Sequence, residues 1–299
     1  MVLINEPASI PAYMWGVVRY LADADRPVPA ITARALLCPE PLRAPDAARL
    51  DPTFDNTIAT LTGLGLVEDD DDHLSLGPAL AGAAPDDLDG FRRELRRAVL
   101  DPARNTDLGT SKSQSGPRDL VRALAWFLAL DPLEPALGTV EIEQRQRGAF
   151  ADDVGRALVN ETRWNRFTYW APALGLAATE LVPSEQRTKL VPDCTEAVRQ
   201  CMLSRYADRQ TRDLSEVLEA IWQDLPVLPG GRYSRELGLP VADVLAPSLS
   251  FALLRGGEAA WWRLDNPADA PRTVLLTDPG RADGVRRFSE ITVWGPQDG

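Results

Sequence analysis

The sequence predicts a mainly α-helical protein with short β-hairpins, arranged as tandem winged helix-turn-helix domains. Three observations point there. Apolar residues recur at helical spacing in stretches broken by Pro and Gly. Two Leu-Gly-Leu corners, Leu64-Gly65-Leu66 and Leu174-Gly175-Leu176, each follow a helical stretch. After each corner come two short strand-like runs around a polar tip.

The first copy is assigned to residues 1–86. Ile10, Met14, Val17, Val18 and Leu21 give its opening helix one apolar face. Pro29 precedes a second helix, AITARALL, and Pro52 lies near the start of a third. Phe54, Ile58 and Leu61 mark the inner side of that third helix, leaving Asp55, Asn56, Thr57, Thr60 and Thr62 expected outside. Gly63 and Gly65 supply the stop, because glycine adopts the left-handed conformation that ends many helices. LVE and HLSL are the paired strands, and the acidic run Glu68, Asp69, Asp70, Asp71 and Asp72 forms the wing between them.

Residues 87–116 read as a linker helix, LDGFRRELRRAVL, followed by the loop NTDLGTSKSQSGP. The loop's Gly, Ser, Asn and Thr content predicts mobility. The second copy spans 117–208: DLVRALAWFLAL, then FADDVGRAL, then NETRWNRFTYWAPALG are its helices. Residues 209–299 form a third winged helix or, alternatively, a small α+β cap. DLSEVLEAIWQDL and VADVLAPSLSFALLRGG are its main helices. AAWWRL and RTVLLTD are expected to pair across the DNPADAP turn, with FSEITVW as a further strand.

Charge narrows the function. The chain has 32 basic and 44 acidic side chains, for a net charge of −12, which argues against non-specific coating of nucleic acid. Residues 1–88 hold 14 acidic and 5 basic side chains, whereas residues 89–210 are nearly balanced. A winged helix reads DNA with its third helix and rests its wing on phosphates. The first copy's acidic wing opposes that use and suits a protein partner instead. The second copy is the better nucleic-acid surface: Arg163, Asn165, Arg166 and Tyr169 are expected to face outward, with Gln186, Arg187 and Lys189 on its wing. Ser248, Ser250 and Arg255 are the outward residues expected of the third copy. Trp261 and Trp262, adjacent in a strand, must face opposite ways.

Chemistry finds little support. The Gly pairs at 230–231 and 256–257 lack the lysine of a phosphate loop. His73 is the single histidine and has no nucleophile spaced to it. The acidic run lacks the spaced ligands and central glycine of a calcium loop. Asp152, Asp153 and Glu161 read as helix-terminal acids rather than a nuclease cluster. Cys38, Cys194 and Cys201 are too few for a disulfide framework. No catalytic residue, metal or cofactor is therefore expected. No apolar run approaches the roughly 20 residues of a membrane span. The N-terminus lacks a signal peptide's pattern, so the expected location is the cytoplasm.

The opening LINEPASIPAYMWGVVRYL and the wing GLGLVEDDDDHLSLG, in a chain near 300 residues, resemble the DpdG-like accessory proteins of bacterial clusters that insert 7-deazaguanine derivatives into DNA and restrict foreign DNA. The resemblance implies an accessory role in DNA modification and anti-phage defence, beside helicase-like and nuclease-like proteins. It carries over no catalytic residue. The functional expectation is an adaptor that scaffolds other protein subunits of such a system and contacts double-stranded DNA through its middle copy. The alternatives are a sequence-specific transcriptional regulator and a kite-type subunit of a chromosome-organising ATPase complex.

Overall fold

The computed structural model describes residues 3–4, 10–24, 26–39, 53–110, 113, 115–146, 149–150, 154, 157–179, 189–206, 209–270 and 272–294. Helices dominate, and small sheets lie between them. Pairing is antiparallel except for one parallel ladder. Contacts divide the chain into two units: residues 1–106, 113–120 and 161–174, and residues 107–112, 121–160 and 175–299.

The first unit opens with α1 (Pro11–Ala22), whose Met14, Val17, Val18 and Leu21 are buried as the spacing requires. Strand β1 (Val28–Pro29) and helix α2 (Ala30–Leu37) follow, then α3 (Thr53–Gly63), β2 (Val67–Asp70) and β3 (His73–Leu76). The sheet order is β1-β3-β2, so the strand before α2 returns to flank the hairpin. Gly65 takes φ +73, and the Leu66 amide donates to the Leu61 carbonyl, which closes α3 and starts β2. Thr57 and Thr60 are buried rather than outward. Their hydroxyls donate to the carbonyls of Thr53 and Asn56, so a threonine can enter the core without an orphaned donor.

Helix α4 (Leu88–Leu100) turns Phe91, Leu95, Arg96 and Val99 inward. The Trp15 and Phe91 rings meet at 5.4 Å, tying α4 to α1. The unit also contains α7 (Glu161–Ala173), which packs against α1. The compact units thus do not follow the expected boundaries at 87 and 117. The region expected to be a linker belongs to a core. In the loop expected to be mobile, Asn105 is fully buried, its side-chain amide donating to the carbonyls of Val99 and Asp101.

Helix α5 (Arg118–Leu128) is buried on all sides from Leu120 to Leu128. Within the second unit, Leu108 is also fully buried, and its carbonyl accepts from Arg122 at 3.0 Å. Helix α6 (Thr139–Arg145) precedes FADDVGRAL, most of which lies outside the described residues. The Gly138 amide bonds to Glu141 at its start. Strands β4 (Ala178–Thr179) and β5 (Leu190–Val191) form a ladder, and Leu137 bridges the other side of β5. Once more the segment before the second helix flanks the last strand.

The remainder holds α8 (Thr195–Arg205), β6 (Thr211–Asp213), α9 (Leu214–Asp224), α10 (Arg232–Glu236), β7 (Val244–Leu245) and α11 (Pro247–Glu258). Strands β8 (Trp262–Asp265), β9 (Val274–Thr277), β10 (Val285–Phe288) and β11 (Glu290–Val293) complete it. The expected hairpin between β8 and β9 does not form. β8 joins a sheet ordered β6-β11-β8, and β9 joins one ordered β10-β9-β7. The cause is the turn after β9, where Gly284 takes φ +71 and the Asp278 amide bonds to the Gly284 carbonyl. That turn pairs β9 with β10 and leaves β8 free for β11. The order β6-β11-β8 matches β1-β3-β2, with β9 and β10 inserted between its last two strands.

Helix α11 ends as α3 does. Ala260 takes φ +57 and the Trp261 amide reaches the Gly256 carbonyl. Trp262 is fully buried, its indole donating to Leu253 and lying flat on Gly256. Trp261 is half-buried, with Arg199 over its ring at 5.5 Å. Ser248 and Ser250, expected outside, are fully buried. Their hydroxyls donate to the carbonyls of Leu128 and Leu245.

A methyl group at Gly256 would fall inside the Trp262 indole, whereas at Gly257 it would meet only one backbone oxygen at ordinary contact distance. Gly256→Ala should therefore lose about 2 kcal/mol or more of unfolding free energy through overpacking. Gly257→Ala should be neutral or gain up to about 1 kcal/mol from helix propensity. Urea titration of both variants checks the contrast.

Candidate functional site

The wing is built by backbone chemistry first. Asp71 and Asp72 take φ +47 and +59, two successive left-handed residues, which is the tight hairpin turn compatible with strand twist. Aspartate tolerates this conformation better than most residues. Asp70 then pairs with His73, and Val67 with Leu76. Val67 and Leu74 face the core, while Glu68, Asp69, Asp70, Asp71 and Asp72 are all exposed. Among the described residues no ion pair is formed to these five acids. His73 is exposed, and its Nδ1 lies 2.9 Å from the Asp71 carbonyl oxygen.

The wing tip touches a helix. The Ala30 amide, first residue of α2, donates to the Asp72 carbonyl at 2.7 Å, and Pro29 is paired with His73. The tip's acids therefore stand at the N-terminal, partially positive end of α2. Farther along the same unit, Arg34 pairs with Asp55 and lies over the Phe54 ring.

The nucleic-acid candidates divide. Asn165 and Tyr169 are exposed, and Tyr169 has half its surface in solvent. Arg166 is half-buried, with its Nε shielded and without a hydrogen-bond partner among the described residues. Arg163 is a correction: it is buried, not outward. Trp170 decides the helical phase, since it lies seven residues after Arg163 and Phe167 lies four after, and both aromatics are fully buried. Arg163 thus shares their inner stripe. Lys189 is half-buried immediately before β5. Gln186, Arg187, Asp152 and Asp153 lie outside the described residues.

Two arginines that the sequence reading did not single out have defined structural roles. Arg104 donates to the Leu64 carbonyl at 3.1 Å, and Arg96 donates to the Leu174 carbonyl at 3.0 Å. Each satisfies a carbonyl left open where a helix ends. The spacing of Arg96 with Leu95 and Val99 hinted at the inward turn; nothing in the sequence pointed to its acceptor.

Among the described residues no helix is long and apolar enough to cross a membrane. These features define a multi-part helical protein with small sheets that presents an acidic hairpin and keeps several of its arginines inside. The chain belongs to the DpdG-like family, whose match spans residues 1–270. No curated protein and no solved structure matches it.

Arg163→Ala should lower unfolding free energy by about 2 kcal/mol or more, because it removes a packed stem and leaves a cavity on the buried side of α7. Asn165→Ala, on the exposed side of α7, should stay within about 0.5 kcal/mol of the parent. Chemical denaturation separates the two, and equal stability would return Arg163 to the surface.

Proposed function

We propose that the chain is a non-enzymatic adaptor of a Dpd-type DNA modification system, built of three tandem winged-helix modules. The observation that carries this reading is the wing: five consecutive acids, all exposed, at the tip of a hairpin in a member of the DpdG-like family. A phosphate backbone repels such a tip. Unit charges about 7 Å apart in water cost roughly 0.6 kcal/mol per pair. A basic protein surface attracts it.

The modular reading is supported by repeated strand order. In β1-β3-β2, in the Leu137 bridge with β5 and β4, and in β6-β11-β8, the segment before the second helix pairs with the last strand. The middle module keeps a role toward double-stranded DNA through Asn165, Arg166 and Tyr169, which share the accessible part of α7. A sequence-specific regulator would need backbone contacts from its first module as well, and there the wing opposes them. Dpd-type membership fits antiviral DNA modification and gives no support to a kite-type role.

Co-expression with the products of adjacent genes tests the adaptor. Changing Asp69, Asp70, Asp71 and Asp72 to Asn keeps the turn and removes four charges. Recovery of the partner at moderate salt should fall by at least about tenfold, with duplex DNA binding undiminished. Unchanged recovery, or recovery only of duplex DNA, would reject the adaptor reading.

A further inference from the structure

Helix α2 has an unusual allocation of side chains. Its sequence is AITARALL, yet Ala33 is its only buried residue. Ile31 is 78% exposed and Leu36 is 61% exposed. On a helical projection Ile31, Thr32, Ala35 and Leu36 share one side. Two large aliphatic side chains on an eight-residue helix are thus left in water, while the wing beside it is wholly acidic.

The Ala30–Asp72 hydrogen bond fixes the α2 N-terminus against the acidic tip. Ile31, which follows Ala30 directly, therefore starts the apolar strip beside the acidic tip. The nearby cation Arg34 is committed to Asp55. Arg26 lies upstream of β1, toward the base of the ladder rather than the tip.

We infer that this edge, Ile31 and Leu36 with the acidic tip, docks a basic amphipathic helix of a partner protein. The inference rests on the adaptor reading and identifies the surface and the partner's chemistry. Charge selects the occupant. DNA and anionic membranes are repelled by the tip. A second copy of the chain related by a twofold axis would bring another five-acid tip toward the first. A helix with leucine-like anchors on one side and Lys or Arg flanking them meets both halves of the edge at once: its anchors cover the strip, and its cations face the acids. Steering by the acids speeds encounter, and the apolar anchors hold the complex.

The full chain is titrated into a fluorescein-labelled synthetic helical peptide with leucines on one face and Lys/Arg on the other, and into the same peptide with Glu in place of each cation. Fluorescence anisotropy reads binding at low and at about 0.5 M salt. The basic peptide should bind, more weakly at high salt, and the acidic one should not. Ile31→Ser with Leu36→Ser should weaken binding at least about tenfold, as should Asn in place of Asp69, Asp70, Asp71 and Asp72. Both sets change exposed residues, and circular dichroism verifies folding. No binding of the basic peptide, equal binding of both peptides, or undiminished binding by the serine pair would overturn the inference. Sedimentation velocity showing a wild-type dimer that the serine pair dissociates would assign the edge to a second copy instead. Partner recovery lost with the neutralised wing but kept with the serine pair would overturn this inference while leaving the adaptor reading intact.

Discussion

Two arginines from one stretch of chain bond the carbonyls where two helices of the first unit end. Arg104 caps the Leu64 carbonyl and Arg96 caps the Leu174 carbonyl. Each corner needs this because the left-handed glycine that follows turns the chain away and leaves the helix's last carbonyls without intrahelical donors. A guanidinium presents several donors in a rigid plane, so it can satisfy such an oxygen while its stem fills apolar space. Leu64, Leu66 and Leu174 are then free to be fully buried. The region between the two corners is therefore a structural component, and the packing of α4 and α7 in the first unit depends on it.

This use of arginine shapes the surface chemistry. Arg96, Arg122 and Arg163 are buried. Arg104 is occupied by Leu64 and Asp101, and Arg205 by Asp224. In the first unit Arg19, Arg26 and Arg97 stay exposed, while the wing gathers five exposed carboxylates in one place. Composition gives the same sign at the level of the whole chain, with a net charge of −12. A surface of that sign is the electrostatic ground on which a basic partner is proposed.

Much of the architecture was legible from residues. The apolar stripe of α1 was readable from three- and four-residue steps, and the Leu-Gly-Leu corners from glycine's conformational freedom. The Asp-rich turn was readable from its position between two apolar alternations. What escaped has physical causes. Strands β6, β7 and β10 are short or polar, and their existence depends on partners distant in sequence. The β8–β9 hairpin failed because a closer glycine turn gave β9 a nearer partner. Thr57, Thr60, Ser248 and Ser250 entered the core because hydroxyls can bond to nearby carbonyls, an option invisible to a polar-outside rule. Arg163 was misplaced because α7 carries aromatics around much of its circumference, and the burial of Trp170 chose the phase. The acidic wing's position was readable; its junction with an exposed apolar helix was not, since that depends on the β1–β3 register.

Hydrogen–deuterium exchange of the full chain, alone and co-expressed with the products of adjacent genes, tests most directly whether the acidic edge docks a partner as proposed. The account predicts slowed exchange in peptides covering 28–37 and 67–76 on assembly, with no such change on addition of duplex DNA. Identical exchange of those peptides in both states, with protection confined to other segments, would contradict it.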